Sequence, residues 1–289
     1  MLNILSSALL VLSVAACSSP SSPAPGGDNA SGGGSEQKFL TIATGGSSGP
    51  YYTLGGAMAK IYKDKLGYNA SVQSTGASVE NINLLKTKKA DMAFVMSDVA
   101  SFAYNGQENF KDAGAIKDLK AMAGLYLNYV QIVTLKDRNI KSVADLKGKR
   151  VAVTRGTDPH IFLVRALQLH GLTERDIKPV LLQHHDGRAA LEQGAVDAWA
   201  GLDPMMAQTE IEQGSRLFFR NPDLNTYGFL NVREAFAADH PDLVRRVLKV
   251  YEKGRQWALD NPAELRRILA EAAKLRDELA ARQLERTDL

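Results

Sequence analysis

Twice along this chain a β-prone run ends in a turn of glycine and hydroxyl residues, and a helical periodicity starts at once. Phe39–Thr44 is such a run, broken by Gly45-Gly46-Ser47-Ser48-Gly49-Pro50 and followed by Leu54, Met58, Ile61 and Tyr62 at helical spacing. Ala70–Ser74 is a second strand, Thr75-Gly76-Ala77-Ser78 its turn, and Val79, Ile82 and Leu85 share one face of the next helix. Ala90–Val95 is a third strand, stopped by Ser97-Asp98. The scheme returns after Val130–Leu135. Val151–Val153 leads into Thr154-Arg155-Gly156-Thr157-Asp158-Pro159 and a helix carrying Ile161, Val164, Leu167 and Leu169. Val180–Leu182 and Asp197–Ala200 read as further strands, with a short helix over Gly187–Gly194 between them. Strand, turn, helix and strand in repetition is the signature of an α/β sheet. Two such units predict two lobes with a cleft between them. No close sequence repeat accompanies the pattern. After Gly228-Phe229-Leu230 helical periodicity dominates, with a long amphipathic helix over about 242–259 and a restart at Asn261-Pro262.

Composition narrows the functional classes. The formal net charge is +3 over 289 residues, too small to point to nucleic acid or to a polybasic membrane surface. Cys17 is the single cysteine, so no intrachain disulfide forms. Residues 2–16 are a short apolar stretch, too short to span a bilayer comfortably, and they end in Val14-Ala15-Ala16-Cys17. That ending resembles the lipobox of bacterial lipoprotein signal peptides, although Met1–Ala16 holds no Lys or Arg. The resemblance implies a signal peptide over 1–17 with Cys17 as the lipidated residue, and a periplasmic or extracytoplasmic location with membrane association through the lipid anchor only. The Ser/Pro/Gly tract over 18–38 then serves as a flexible linker.

The three turns share one chemistry. Gly46-Ser47-Ser48-Gly49, Thr75-Gly76 and Gly156-Thr157 each open a helix, whose first N–H groups are unpaired and whose dipole is positive at that end. Glycine admits a ligand close to the backbone, and Ser or Thr adds hydroxyl donors. The set suits a carboxylate, sulfonate or phosphate without a metal or other cofactor. Each turn taken alone is also an ordinary helix cap. Tyr51 and Tyr52 can wall such a pocket or pack under it. Arg155 and Arg188 are candidate cationic partners, and both also read as solvated surface residues. Asp203-Pro204 is a candidate hinge or cap, and Tyr227 lies where the chain returns to the first lobe.

Enzyme readings find little support. His184-His185-Asp186 is the densest polar cluster, but adjacent histidines do not share a helix face. No Gly-Lys-Ser/Thr follows the first glycine turn, and no Gly-x-Ser-x-Gly elbow occurs. The expectation is a binding protein for a small anionic solute, with no catalytic residues and no metal.

Two resemblances sharpen that expectation and divide it. LTIATGGSSGPYYTLGGAMAK (40–60), ASVQSTGASVENINLLKTKKADMAFVMSDVA (70–100) and KSVADLKGKRVAV (141–153) resemble the TAXI-type solute-binding subunits of TRAP transporters. This implies a carboxylate ligand such as glutamate or a dicarboxylate, delivered to TRAP permease subunits. By that resemblance Gly46, Ser47, Tyr52, Thr75, Gly76, Ser97 and Asp98 lie in pocket-forming segments. RGTDPHIFLVRAL (155–167), LQHHDGRAALEQGAVDAWAGLDPMMA (182–207) and NTYGFLNVREAFAADHPDLVRRVL (225–248) resemble the sulfonate-binding proteins of ABC importers. Arg155, Gly156, Thr157, His160, Gln183, Asp186 and Asp203 then fall in cleft-facing segments. The two halves read as a natural mosaic, an engineered chimera or a merged sequence, with the TAXI/TRAP carboxylate reading preferred and the sulfonate/taurine ABC reading as the alternative. A lipoprotein with a sensor role and no transport partner is the third reading. Both families share the type II periplasmic-binding-protein fold, two α/β lobes joined by crossover strands. The expected boundaries are 39–128 with 228–289 for lobe 1 and 129–227 for lobe 2.

Overall fold

The computed structural model describes residues 39–287. The leader, Cys17 and the linker lie outside the described residues.

The chain first lays down β1 (Phe39–Ala43), α1 (Pro50–Leu66), β2 (Asn69–Gln73), α2 (Ser78–Lys86), β3 (Met92–Met96), α3 (Ser97–Asn105) and β4 (Leu119–Asn128). It crosses to a second sheet with β5 (Val130–Thr134), β6 (Arg150–Val153), α4 (Asp158–Leu169), β7 (Lys178–Leu181), α5 (His184–Glu192), β8 (Ala198–Leu202), α6 (Met205–Gln213) and β9 (Arg216–Phe219). It returns through β10 (Thr226–Arg233) and closes with α7 (Glu234–Asp239), α8 (Pro241–Asp260), α9 (Pro262–Ala273) and α10 (Asp277–Leu284). Among the described residues no helix is long and apolar enough to cross a membrane.

Each sheet has five strands, ordered β2-β1-β3-β10-β4 and β7-β6-β8-β5-β9. In both, three parallel strands are followed by one that runs antiparallel: β10 against β3 and β4, β5 against β8 and β9. The two α/β lobes therefore share a topology without sharing a sequence. The chain crosses between them at the β4–β5 junction and again before β10.

Burial explains the strand sequences. Helices cover both faces of a parallel sheet, so central strands read as continuous apolar runs rather than alternating ones. All five residues of β3 (MAFVM), β5 (VQIVT) and β8 (AWAGL) are buried. One face of the first sheet packs Leu40, Ile42 and Phe94 against Tyr62, Leu243 and Val247. Its other face packs Ala43, Ala93 and Val95 against Ile82, Leu85 and Val99. In the second sheet Val151, Val153 and Ala200 meet Phe162, Leu163 and Leu167 on one side. The other side centres on Trp199, which touches no solvent. Two glycines make room for that indole: a Cβ on Gly187 would stand 2.7 Å from Trp199 Nε1, and one on Gly201 would collide with the same ring.

The C-terminal helices bridge the lobes. Val247 on α8 enters the core of the first sheet. Past α10, Arg286 pairs with Asp203 at 3.3 Å and with Glu210, and it donates to Gln131 Oε1 at 2.9 Å. Chain order places this end with the first lobe, yet its ion pairs are with the second.

Candidate functional site

All six turns that follow the parallel strands lie at carboxyl ends of those strands, where an α/β sheet offers a crevice. In the first lobe the turns are tied to one another. The Thr44 hydroxyl donates to Gln73 O at 2.7 Å, Thr75 N–H donates to Gly45 O at 3.1 Å, and Gly49 N–H closes the first turn onto Gly46 O at 2.8 Å. Beneath them sits Asn81, which has no solvent exposure. Its amide donates to Thr44 O at 2.5 Å and to Phe94 O at 2.7 Å, while its carbonyl accepts the Thr75 hydroxyl at 2.7 Å. One side chain thus fastens the end of β1 and the middle of β3 to the turn that follows β2. The Ser78 hydroxyl accepts Met96 N–H at 3.0 Å and adds a second tie. Ser78 belongs to the turn Thr75–Ser78 that the sequence marks as a candidate, whereas Asn81 is not marked by it. The available signal was a polar residue on the apolar stripe of α2, beside Ile82 and Leu85.

In the second lobe the Thr154 hydroxyl donates to Leu182 O at 2.8 Å and lies 3.2 Å from His184 Nδ1. Its one proton is committed to the carbonyl, so Nδ1 of His184 is the donor and Nε2 is left unprotonated. Burial holds the His184 pKa down at about 4, and the ring is neutral at physiological pH. The Thr157 hydroxyl donates to Thr154 O at 2.6 Å and shapes the turn, and Gly156 there adopts φ 76°.

The lobes touch at these turns. A Cβ on Gly46 would stand 2.7 Å from Gln183 Oε1, and one on Gly49 would stand 3.8 Å from His184 Cδ2. Gly49 caps α1, and Gln183 caps α5. Two helix N-termini from different lobes therefore abut. Further contacts hold the lobes together. Asp98 pairs with Arg165 at 3.2 Å, the Thr226 hydroxyl donates to Asp158, and Ile161 packs against the first lobe's α2–α3 cluster. Burial pushes the Asp98 carboxyl up, against the opposing pull of Arg165.

The expected site residues divide on this geometry. Gly46, Ser47 and Ser48 form the first turn beside Gln183, with Ser47 exposed and Ser48 half-buried. Gly156 and Thr157 shape the turn before α4, and Asp186 is exposed in the first turn of α5. Tyr52 is half-buried on α1, and Ser97 accepts Tyr227 N–H at 3.3 Å. Tyr227 itself is 54% exposed. Other expected residues have structural partners. Tyr51 stacks on Phe94 with centroids 5.1 Å apart, inside the first lobe's core. The Thr75 hydroxyl is committed to Asn81, and Gly76 N–H donates to Glu80 at 2.6 Å. His160 bonds Glu174 at 2.9 Å on its own lobe's surface. Arg188 is held by Glu192 at 3.0 Å and by Gln208. Asp203 accepts Ala207 N–H at 2.9 Å and faces Arg286, while burial pushes its carboxyl up. Arg155 is exposed on the surface. Of the two cations expected to meet an anion, Arg188 is engaged by Glu192 and Gln208, and Arg155 is exposed.

Residues 42–217 match the NMT1-like family. The chain belongs to that family. It is 37% identical over 123 residues to an Escherichia coli K12 protein named for binding aliphatic sulfonates, a stretch covering 42% of this chain and 39% of that protein. A Bacillus subtilis protein of the same name is 30% identical over 162 residues, covering 54% of this chain and 47% of the relative. The NMT1-like chain thus spans less than half the length of these curated relatives. Over the fold the likeness is broader. The periplasmic aliphatic sulphonate binding protein of Escherichia coli superposes with a TM-score of 0.66 at 26% identity, covering 87% of this chain and 85% of that one. The alkanesulfonate-binding protein of Xanthomonas axonopodis pv. citri, bound to MOPS, gives 0.67 at 25% identity, covering 86% and 84%. The architecture is that of periplasmic binding proteins, and the matched relatives are solute-binding proteins rather than enzymes.

These matches correct the preferred sequence reading. One family runs through both the 42–100 stretch that resembles TAXI subunits and the 155–207 stretch that resembles sulfonate-binding proteins. The TAXI assignment, with its carboxylate ligand and TRAP partner, is withdrawn. The glycine and hydroxyl turns that carried it are demanded by the fold, since any α/β lobe of this topology must turn sharply into a helix at the same places.

Two outcomes test the site's construction. Replacing Asn81 with Leu leaves two buried carbonyls and the Thr75 hydroxyl without their partner, and urea unfolding is expected to show a loss of about 2–4 kcal/mol. His184 has a folded pKa below its unfolded value, so its contribution is complete above about pH 6.5 and is lost as pH falls towards about 4. Acidification across that window is expected to destabilise the wild type by up to roughly 3 kcal/mol more than His184→Asn, read by urea unfolding at each pH.

Proposed function

We propose that this protein captures a small organic sulfonate between its two lobes and presents it to the permease of an ABC-type importer on the outer side of the cytoplasmic membrane. The observation that carries the reading is the meeting of two helix N-termini, α1 at Gly49 and α5 at Gln183, across the lobe junction. Two positive dipole ends brought together repel each other unless an anion lies between them. A sulfonate has three acceptor oxygens and no proton to lose near neutral pH, so it suits a ring of amide and hydroxyl donors. Likeness to sulfonate-binding relatives supports the same ligand class. Gly46, Ser47, Ser48, Gly156, Thr157 and Gln183 are the residues proposed to surround the head group. Closure of the lobes over the anion removes water and strengthens each of its hydrogen bonds.

Calorimetric titration of the body from residue 38 tests the ligand class. Taurine and short alkanesulfonates are expected to bind with micromolar Kd, while glutamate, succinate and sulfate bind at least a hundredfold more weakly. Binding of the carboxylates alone would sink the proposal. Gly46→Glu, which sets a carboxylate at the junction, is expected to weaken sulfonate binding at least tenfold and to leave the melting temperature within a few degrees.

Anchoring at Cys17 belongs to the same proposal, since a tethered body stays near its permease. Mass spectrometry of the membrane fraction is expected to find an acylated cysteine as the first residue, and Cys17→Ser is expected to release the protein from the membrane. An unmodified thiol in the mature protein would remove the anchor from the proposal.

A further inference from the structure

His184 is the first residue of α5, and its ring is almost enclosed, with 5% of the residue's surface exposed. One edge of the imidazole is fixed from within the second lobe. Nδ1 donates to the Thr154 hydroxyl at 3.2 Å, and that hydroxyl is itself committed to Leu182 O. The other edge faces the first lobe. Cδ2, which is bonded to Nε2, lies 3.8 Å from where a Cβ on Gly49 would stand, at the N-cap of α1. Nε2 carries no proton in this tautomer, and it accepts no hydrogen bond among the described residues. Burial keeps the ring neutral. A bare acceptor is thus held between two helix N-termini, among groups proposed to donate.

A buried acceptor is seldom left unpaired. The head group does not satisfy this one, because the lone pair of Nε2 and a sulfonate oxygen repel each other. Resting on the sulfonate reading above, we infer that His184 Nε2 accepts a hydrogen bond from a hydroxyl carried by the ligand beside its head group, so that the site selects short hydroxyalkanesulfonates over plain alkanesulfonates. Position sets the reach. A ring on the first residue of α5 stands beside the amides proposed to hold the sulfonate, so the hydroxyl belongs on a carbon close to the sulfur. Charge selects a hydroxyl over an ammonium. Two positive dipole ends meet here, and an ammonium needs a carboxylate to offset them. Asp98 is paired with Arg165, Asp158 accepts the Thr226 hydroxyl, and Asp186 is exposed to solvent. A neutral O–H asks only for an acceptor, and His184 supplies it.

Calorimetry of the full chain with ethanesulfonate, isethionate (its hydroxylated counterpart) and taurine tests the inference. One added hydrogen bond is worth up to roughly tenfold in affinity, so isethionate is expected to bind about tenfold tighter than ethanesulfonate, and tighter than taurine. His184→Phe keeps a ring and removes the acceptor, and the preference for isethionate over ethanesulfonate is expected to vanish. His184→Gln, which can place an amide oxygen near the position of Nε2, is expected to restore part of it; an imidazole needed only for packing predicts no such rescue. Nitrogen NMR of the wild type needs no variant. It is expected to show an unprotonated Nε2 whose resonance moves on adding isethionate and stays in place with ethanesulfonate. Equal affinity for isethionate and ethanesulfonate, a preference that survives His184→Phe, or a protonated Nε2 would overturn the role of His184 while the sulfonate reading stands. Taurine binding tighter than isethionate would overturn the choice of a hydroxyl. Failure of all three sulfonates would overturn the sulfonate reading and this inference with it.

Discussion

The hydrogen bonds of Asn81 are the constraint on which the first lobe's half of the site depends. A sheet can place strand ends side by side, but it does not fix the turns that leave them. Here a fully buried amide reaches the carbonyl of Thr44 just past β1 and that of Phe94 in the middle of β3, and receives the hydroxyl of Thr75 in the turn after β2. The amide oxygen and nitrogen are used in opposite directions, so neither an aspartate nor a leucine reproduces the set. A buried polar residue so well satisfied gives little net stability over an apolar core. Its contribution is specificity, since only one placement of the first two turns against β3 satisfies all its bonds. The first turn then meets Gln183 and His184 across the junction as a preset surface rather than a mobile loop.

The second lobe solves the same problem with hydroxyls. Thr154 and Thr157 bond to backbone carbonyls of the turns, and Thr154 also orders His184. Burial keeps that imidazole neutral at the junction. A charged imidazolium there would add attraction, at the cost of binding any anion that reached it. Between the lobes, Asp98–Arg165 lies near the junction and removes that guanidinium from the pool available to a ligand. Arg188 is removed in the same way by Glu192 and Gln208.

Much of the fold was legible because its signals were local. Four of the six parallel strands, β1, β3, β6 and β8, are short, largely apolar runs stopped by Ser, Thr or Asp, and the helices after them keep a clear period. The strand β4 was not legible. Its sequence LKAMAGLYLN is rich in helix-forming residues, and it is extended because β10 pairs along it, with irregularities near Tyr227 and Leu230. The site was legible as turns and illegible as partners. Gly46 and Gly156 could be marked because a glycine turn before a helix is visible in one dimension, whereas Gln183 was marked only by resemblance. Whether Arg188 is free, or whether Tyr51 faces the crevice or Phe94, depends on residues far away in the chain. Arg286, which neutralises Asp203 from 83 positions downstream, left no local mark at all.

The misassignment to the TAXI group has the same origin. Sharp turns of glycine and hydroxyl residues recur at the ends of parallel strands because the backbone must reverse direction there and the helix amides need partners. That requirement is met alike by proteins that bind carboxylates and by proteins that bind sulfonates. What separates the two ligands is the inventory of charges behind the turns. A carboxylate offers two oxygens in one plane and is matched by a guanidinium fork. A sulfonate spreads one charge over three oxygens and is better served by several weak donors from different directions. Arg165 and Arg188 are engaged by carboxylates, and Arg155 points to solvent, whereas two helix ends converge on the junction. The turns by themselves therefore do not distinguish the two kinds of anion.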